Sequence, residues 1–439
     1  MEEGLISVDR WSEPSQAYFL SHLHTDHTKG LSRRWKRGPL FCSSITAKLL
    51  PTRFPGFNLS LLRVLEIGTP HSVSLVSPKS GLEITVQVVA IDANHCPGAV
   101  MYLFHGEFGS MLYTGDFRWE TTSDRTQIAK AMLLNALGDD KLGMLYLDNT
   151  YCNPWFSFPP REVVAQQVVD LIASHPDHDI VIGINTLGKE DLLLHISRAL
   201  KTKIWVWPER LQTMHILSYG DIFTTNTSIT RVRAVPRESL TIDNLKALNT
   251  VRPTIGIMPS GLPWVRPANE KDASHGASHS NRHKRKMTIG GSSVDSSKVG
   301  ESPSSPLMLN HHVYSVPYSD HSCFTEIREF IEFIRPSYIK GIVSSSTWYI
   351  NPFHYFGNLC GAHKQMEESS KNIRSDLAEN VEIIQTESSV GHDKFDEVKI
   401  STKVVRQAAR KSRVSVVRRE RKGVRITHMD DSSRTDFDV

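Results

Sequence analysis

The chain has 439 residues, with 51 Lys or Arg against 47 Asp or Glu, and is 39% hydrophobic and 22% charged. That suffices for two domains or one large domain with an insertion, in an ordinary globular composition. No run approaches the eighteen or so apolar residues of a membrane span. The opening MEEGLISVDRW lacks the features of a secretory signal, and five scattered cysteines without a CxxC argue for a reducing compartment and against a thiolate zinc site.

In chain order, residues 1–152 read as strands linked by short helices. LEITVQVVAID (Leu82–Asp92) alternates apolar Leu82, Ile84, Val86 and Val88 with Glu83, Thr85 and Gln87, which predicts a half-buried strand. AVMYLF and SMLYTGD predict a hairpin around HGEFGS, and MLYLDNT (Met144–Thr150) an apolar strand with a polar end. Residues 153–264 change character. Helices over Arg161–Ser174, Lys189–Leu200 and Pro208–Leu217 alternate with strands at DIVIGIN, KIWVW, RVRAV and TIGIMPS. Such alternation predicts a separate layered α/β unit with a partly parallel sheet. The 265–306 stretch is rich in Ser, Gly, His and Lys and predicts a disordered insertion. In 307–360 a strand leads to an amphipathic helix with Phe324, Ile327, Phe330, Ile331 and Ile334 on one side, then to the strand YIKGIVSSS. Residues 361–439 are polar and basic and predict a tail with little fixed structure. Basic clusters lie at RHKRK (Arg282–Lys286) and between Lys403 and Arg425, where ten Lys or Arg accompany one Glu. Their composition suits nuclear-import signals, phosphate-binding arms or a solvated tail.

YFLSHLHTDHTKGL puts three histidines and an aspartate into six residues: His22, His24, Asp26 and His27. Residues two apart in an extended segment face one side, so His22 and His24 can grip one ion. Imidazole and carboxylate donors suit zinc, with manganese or iron as rivals. Six residues cannot complete two coordination shells, so further ligands are expected at other strand ends. The candidates are His95 in DANHCPGAV, Asp116 in LYTGDFR and His321 in PYSDHSC. The other fifteen histidines, His105, His195 and His215 among them, are read as core or surface residues.

SHLHTDH, NHCPG, YTGDFR, LYLDNT and YSDHS, in this order, resemble the metallo-β-lactamase fold in its β-CASP branch, from Ser7 to about Ser345. Within that branch they are most similar to the DNA cross-link repair nucleases of the Apollo and Artemis type. HxHxDH alone is specific to the fold; DANHCPG, LYTGDFR and LGKE together are specific to the DNA nucleases, and DANHCPG with LDNT leans toward the Apollo-type 5′ exonucleases. The resemblance implies an α/β architecture, an αββα sandwich with an inserted β-CASP cap. The first part of the sandwich would span 1–152, the cap 153–264 and the returning part 307–360. It implies one metal on His22, His24, His95 and Asp116, and a second on Asp26, His27 and His321 with Asp116 bridging. Zinc would fill one or both positions, with manganese or magnesium as alternatives in the second. Asp9 in SVDRW and Asp148 in LYLDNT would orient ligands without binding the metal themselves. Val343, where RNA-cleaving relatives carry a histidine, matches the DNA pattern.

The implied activity is 5′→3′ hydrolysis of DNA from a 5′-phosphate end, in cross-link or double-strand-break repair. Asp26 would take the proton of the attacking water. The expected setting is the nucleus, with DNA and repair proteins as partners of a monomer. Lys189 in GINTLGKEDLL, at a helix start, is the candidate contact for the terminal phosphate, the alternative being a first-turn surface lysine. Ser319, Ser344 and Ser345 are secondary candidates. Trp205 and Trp207 alternate within an apolar strand and are read as core before base-stacking residues. The rival readings are an RNA-processing β-CASP endonuclease, a catalytically silent scaffold and a small-molecule hydrolase. The intact ligand set argues against the scaffold; the cap, Val343 and the basic clusters argue against the small-molecule enzyme.

Overall fold

The computed structural model describes residues 4–78, 80–261, 306–310, 312–344, 350–361, 420–421 and 423–426. Nearly all of the 265–306 insertion, and most of the 361–439 tail, lie outside these residues.

The strand Ser15–Phe19 explains the layering. Ala17 and Phe19 enter one core, while Tyr18 and the following Leu20 enter another, all fully buried. Along Glu83–Asp92, Val88 and Ala90 face the first core, Val89 and Ile91 the second. Strands apolar on both faces must be covered on both, which is the condition for a sandwich flanked by helices. One sheet runs Val424–Ile426, Gly4–Val8, Ser15–Phe19, Leu40–Ser43, Leu62–Leu65. The other runs Tyr338–Gly341, Met144–Leu147, Gly109–Tyr113, Val100–Gly106, Glu83–Asp92, Pro70–Val76. Phe19, Val88, Tyr102 and Tyr113 fill the space between them. The helices Ser44–Arg53, Asp124–Leu137 and Phe324–Ile334 bury Leu49, Leu133 and Phe330 in the outer core. The layers are therefore helix, sheet, sheet, helix, the expected αββα sandwich.

Between Met144–Leu147 and Tyr338–Gly341, which are neighbouring parallel strands, the chain builds a second α/β layer. Its seven-stranded sheet runs Phe223–Thr224, Ile204–Trp205, Val232–Pro236, Asp179–Ile184, Thr254–Pro259, Val313–Val316, Leu307–Asn310. Every pairing is parallel except the last. Asp179–Ile184 is buried at every position because strands flank it on both sides and its apolar residues share a core with the helices Arg161–Ala173 and Glu190–Leu200. Among the described residues no helix is long and apolar enough to cross a membrane.

Several expectations shift. Leu307–Asn310 and Val313–Val316 extend the inserted sheet, so the return to the sandwich begins after Val316 rather than at 307. Val424–Ile426, inside the expected tail, pairs antiparallel with Gly4–Val8, where Val424 and Ile426 are buried. YIKGIVSSS is two strands: Tyr338–Gly341 pairs with Met144–Leu147, and Val343–Ser344 with Glu420–Arg421. Leu82 is 68% exposed, and the half-buried alternation gives way to two-sided burial at Val88.

Candidate metal centre

The candidate ligands come from four loops at one end of the sandwich. The Ser21–His27 loop follows the strand Ser15–Phe19, His95 follows Glu83–Asp92, and Asp116 follows Gly109–Tyr113. Gly115 adopts φ +53, and a Cβ there would meet Ser21 Cβ at 2.9 Å, so the Asp116 loop and the histidine loop touch only because this residue lacks a side chain. Contrary to the expectation from the sequence, His321 does not end a strand. It lies five residues beyond Val316, in the loop before the helix Phe324–Ile334. Ser322 pins that loop, its N–H and hydroxyl donating to Phe117 O at 2.9 and 3.0 Å and its oxygen accepting from Trp119 N at 2.9 Å.

Donor atoms of His22, His27 and Asp116, and of His95, Asp116 and His321, each lie within 4.8 Å of one another. Asp116 is the shared member. Its Oδ1 is 3.1 Å from His27 Nε2, and its Oδ2 is 3.7, 3.6 and 3.8 Å from Nε2 of His22, His95 and His321.

The outward nitrogens reveal what faces inward. His27 Nδ1 donates to Asp9 Oδ2 at 2.6 Å, and His321 Nδ1 to Asp148 Oδ2 at 2.7 Å. His95 Nδ1 donates to Asp320 O at 2.8 Å, and His24 Nε2 to Leu187 O at 2.9 Å. Ser21 Oγ donates to Asp9 Oδ2 at 2.6 Å and so accepts from His22 Nδ1 at 3.0 Å. Carboxylates and carbonyls only accept, so these partners fix the tautomers and turn a lone pair of each ring inward. His24 Nδ1 and His95 Nε2 then face each other as two acceptors 3.1 Å apart. Lone pairs and a carboxylate converging in a buried space call for a cation, and nitrogen with oxygen donors fits zinc. Burial pushes the His24 pKa down to about 4 despite the opposing Leu187 hydrogen bond and Asp26 charge, so the ring is neutral at pH 7. Burial, with Glu190 and Asp320 nearby, raises the Cys96 thiol well above its ordinary range, leaving it a protonated neighbour of the cluster. At Asp148 burial raises the pKa, but His321 and Thr150 outweigh it and hold the carboxyl below its ordinary range.

Other candidates fall differently. Asp26 is half-buried and outside the tight donor sets, acting electrostatically on His24. Asp9, at φ +51, receives Ser21 N, Ser21 Oγ, His27 and Tyr113. Lys189, at φ +67, forms an ion pair with Asp320. The adjoining helix start is already served by the buried Glu190 carboxylate, which accepts from Gly188 N at 2.9 Å. The chain's own carboxylate therefore already takes one of the N–H donors at the turn before that terminus. Ser319 is 2% exposed, and its hydroxyl closes the His321 turn by donating to His321 O and accepting from His321 N. It faces the loop instead of a phosphate. Ser344 lies in the short strand with Val343, and Ser345 is outside the described residues. Ile204 and Val206 are the fully buried positions of KIWVW; Trp205 and Trp207 are half-buried.

Several residues were not anticipated. Arg210 is fully buried and donates to the carbonyls of Asn185, Thr186 and Gly188 and to Glu190, shaping the turn that carries Leu187. Its partners are mainly backbone carbonyls, which leave no pattern in a sequence. Asn149 holds Val343 by paired hydrogen bonds of 2.8 and 3.1 Å, and its place in LDNT was the available signal. A cavity of about 470 Å³ lies beside His95, with Lys48, Arg125, Arg161 and Lys189 in its wall.

Residues 219–347 match the family described as DRMBL, "DNA repair metallo-beta-lactamase". The chain is 36% identical over 355 residues to "5' exonuclease Apollo" of Gallus gallus, covering 78% of this chain and 63% of that protein. Identity to the Rattus norvegicus protein of the same name is 37% over 342 residues, 77% of this chain and 53% of the relative. With "DNA cross-link repair protein SNM1" of Arabidopsis thaliana it is 32% over 338 residues, 75% and 61%. The chain thus spans between about half and just under two-thirds of these relatives.

Proposed function

We propose that this chain, which carries a DNA repair metallo-beta-lactamase domain and is homologous to DNA cross-link repair proteins, is a zinc-dependent 5′→3′ DNA exonuclease. It would hydrolyse phosphodiesters from a 5′-phosphate end, as a nuclear monomer, during cross-link or double-strand-break repair alongside other repair proteins. The observation that carries this reading is a set of five imidazole lone pairs fixed by outward hydrogen bonds, those of His22, His27, His95 and His321 turned toward Asp116 and that of His24 toward His95.

His22, His24, His95 and Asp116 would hold one ion, and Asp26, His27, His321 and Asp116 a second, where manganese or magnesium are alternatives. A divalent metal supplies Lewis acidity toward the phosphate and makes a water acidic enough to ionise near neutral pH. The chain's own residues then do the positioning. Asp9 and Asp148 hold His27 and His321, Leu187 and Asp320 hold His24 and His95, and the solvent-reachable Asp26 carboxylate accepts the proton of the attacking water. The 470 Å³ cavity would receive the strand end, with the exposed Lys48 and the ion-paired Lys189 nearest its phosphate.

Digestion of end-labelled single-stranded DNA bearing a 5′-phosphate or a 5′-hydroxyl, beside RNA of the same sequence, tests the reading. Stepwise shortening from the phosphate end is expected, abolished in Asp116→Ala and His24→Ala. Equal cutting from the hydroxyl end removes the end pocket, and preferential internal cutting of RNA removes the DNA assignment.

A further inference from the structure

The loop after the metal-binding motif, SRRWKRG (Ser32–Gly38), concentrates cations that the fold does not neutralise. Arg34, Lys36 and Arg37 are exposed, and none has an ion-pair partner among the described residues. The loop between them is not loose. Trp35 is buried at its centre, edge-on to Trp11 and Tyr18 with ring centroids 5.5 and 4.6 Å away, and donates to Gly38 O at 3.0 Å. Trp11 in turn donates to His27 O at 2.7 Å, joining this aromatic frame to a candidate ligand. The three cations, with Arg10 and Lys29, line a groove of about 720 Å³ that reaches Asp26 and Asp9.

We infer that this groove binds the body of the single-stranded polynucleotide whose scissile phosphate lies at the metal centre. The inference rests on the nuclease reading above. Three exposed, unneutralised cations brought together by one short loop repel one another, and a polyanion relieves that repulsion by displacing counterions. Continuity with Asp26 selects a strand already anchored at the centre over an unrelated acidic partner. The cavity on the His95 side differs in charge. Its Lys48, Arg125, Arg161 and Lys189 are matched by Asp92, Glu190, Asp191 and Asp320, so it offers no net attraction to a running phosphate backbone. The strand therefore ends in the balanced cavity and extends along the basic groove. The buried Trp35 sets the loop's shape, so contact there is with phosphates and not by base stacking.

The test uses the full chain, its triple variant Arg34→Ala, Lys36→Ala, Arg37→Ala, and the single variant Arg34→Glu. Binding of a fluorescent, phosphorothioate-protected 30-nucleotide strand is followed by anisotropy across salt concentrations. For the triple variant, affinity near 0.15 M salt should fall on the order of 10- to 50-fold. The slope of log K against log salt should flatten by about 2, from roughly 0.7 per lost single-strand phosphate contact. Bound metal per chain should equal that of the parent, which separates lost contacts from a damaged fold, and Arg34→Glu should weaken binding in the same direction. Unchanged affinity and slope in both variants would overturn the inference, as would a polyglutamate competitor that displaces the strand at equal charge concentration. Hydrolysis of bis(p-nitrophenyl) phosphate by the parent chain tests the nuclease reading separately. Its failure would sink that reading while the binding data still decide the groove.

Discussion

At the residue scale, the chemistry of the centre depends on atoms that point away from it. Asp148 is 2% exposed and holds His321 through a 2.7 Å hydrogen bond, with Thr150 N and Oγ1 donating to its other oxygen. Asp148→Asn keeps the shape and removes the charge that favours the outward N–H of His321. Metal affinity, read by chelator competition, should fall about 10- to 100-fold; an unchanged affinity would free His321 from that dependence. Arg210→Ala leaves Glu190 buried beside a vacated cation site and three carbonyls without their donor. The expected loss is about 3–5 kcal/mol by denaturant unfolding. Because the same turn presents Leu187 O to His24, weaker metal retention should accompany it. His22, His24, Asp26 and His27 were legible in the sequence because they are consecutive. The partners that aim His24 and His95, Leu187 O and Asp320 O, are backbone carbonyls, which every residue carries, so no residue type marked them. Arg34, Lys36 and Arg37 were not legible beside the basic clusters farther along the chain, because charge counts do not show which cations a fold brings to a groove without partners.

At the element scale, the helix Phe324–Ile334 sets the position of the His321 loop against the Asp116 loop. Phe330 is fully buried, with ring centroids 4.9 Å from Phe117 and 4.7 Å from Trp119. Between those two aromatics, the buried Arg118 donates to Ser319 O and pairs with Glu326 at 2.9 Å. The apolar stripe of this helix was legible from its helical spacing, since Ile327, Phe330, Ile331 and Ile334 are all buried. The loop between Val316 and the helix was not, because its course follows from residues about 200 positions earlier in the chain: Ser322 meets backbone atoms of Phe117 and Trp119, and Arg118 donates to Ser319 O. Phe330→Ala should cost about 3–5 kcal/mol of stability through the cavity it leaves. A loss well below 1 kcal/mol in denaturant titrations would show that the loop is held without this packing.

At the scale of the whole molecule, the inserted layer departs from and returns to neighbouring strands. Asp148, next to the exit from Met144–Leu147, and His321, before the return through Phe324–Ile334, are thereby brought together across 173 positions. The C-terminal region contributes too. Val424–Ile426 closes the edge of the first sheet, and Gly423 passes so near Asp9 that a Cβ there would lie 2.4 Å from Asp9 O. This strand was not legible, since three residues in a basic, polar stretch carry no periodic signal. A chain ending before Glu420 should lose about 1.5–3 kcal/mol for each of Val424 and Ile426, seen as a lower melting temperature. An unchanged melting temperature would show that the edge of Gly4–Val8 needs no cover.

The most direct test of the whole account is the metal content of the purified chain, determined by plasma mass spectrometry beside that of Asp116→Ala. One or two zinc equivalents per chain in the parent, reduced sharply in the variant, are predicted from the lone pairs that converge on Asp116. A metal-free parent that still hydrolyses DNA, or a variant that keeps its full complement of metal, would contradict it.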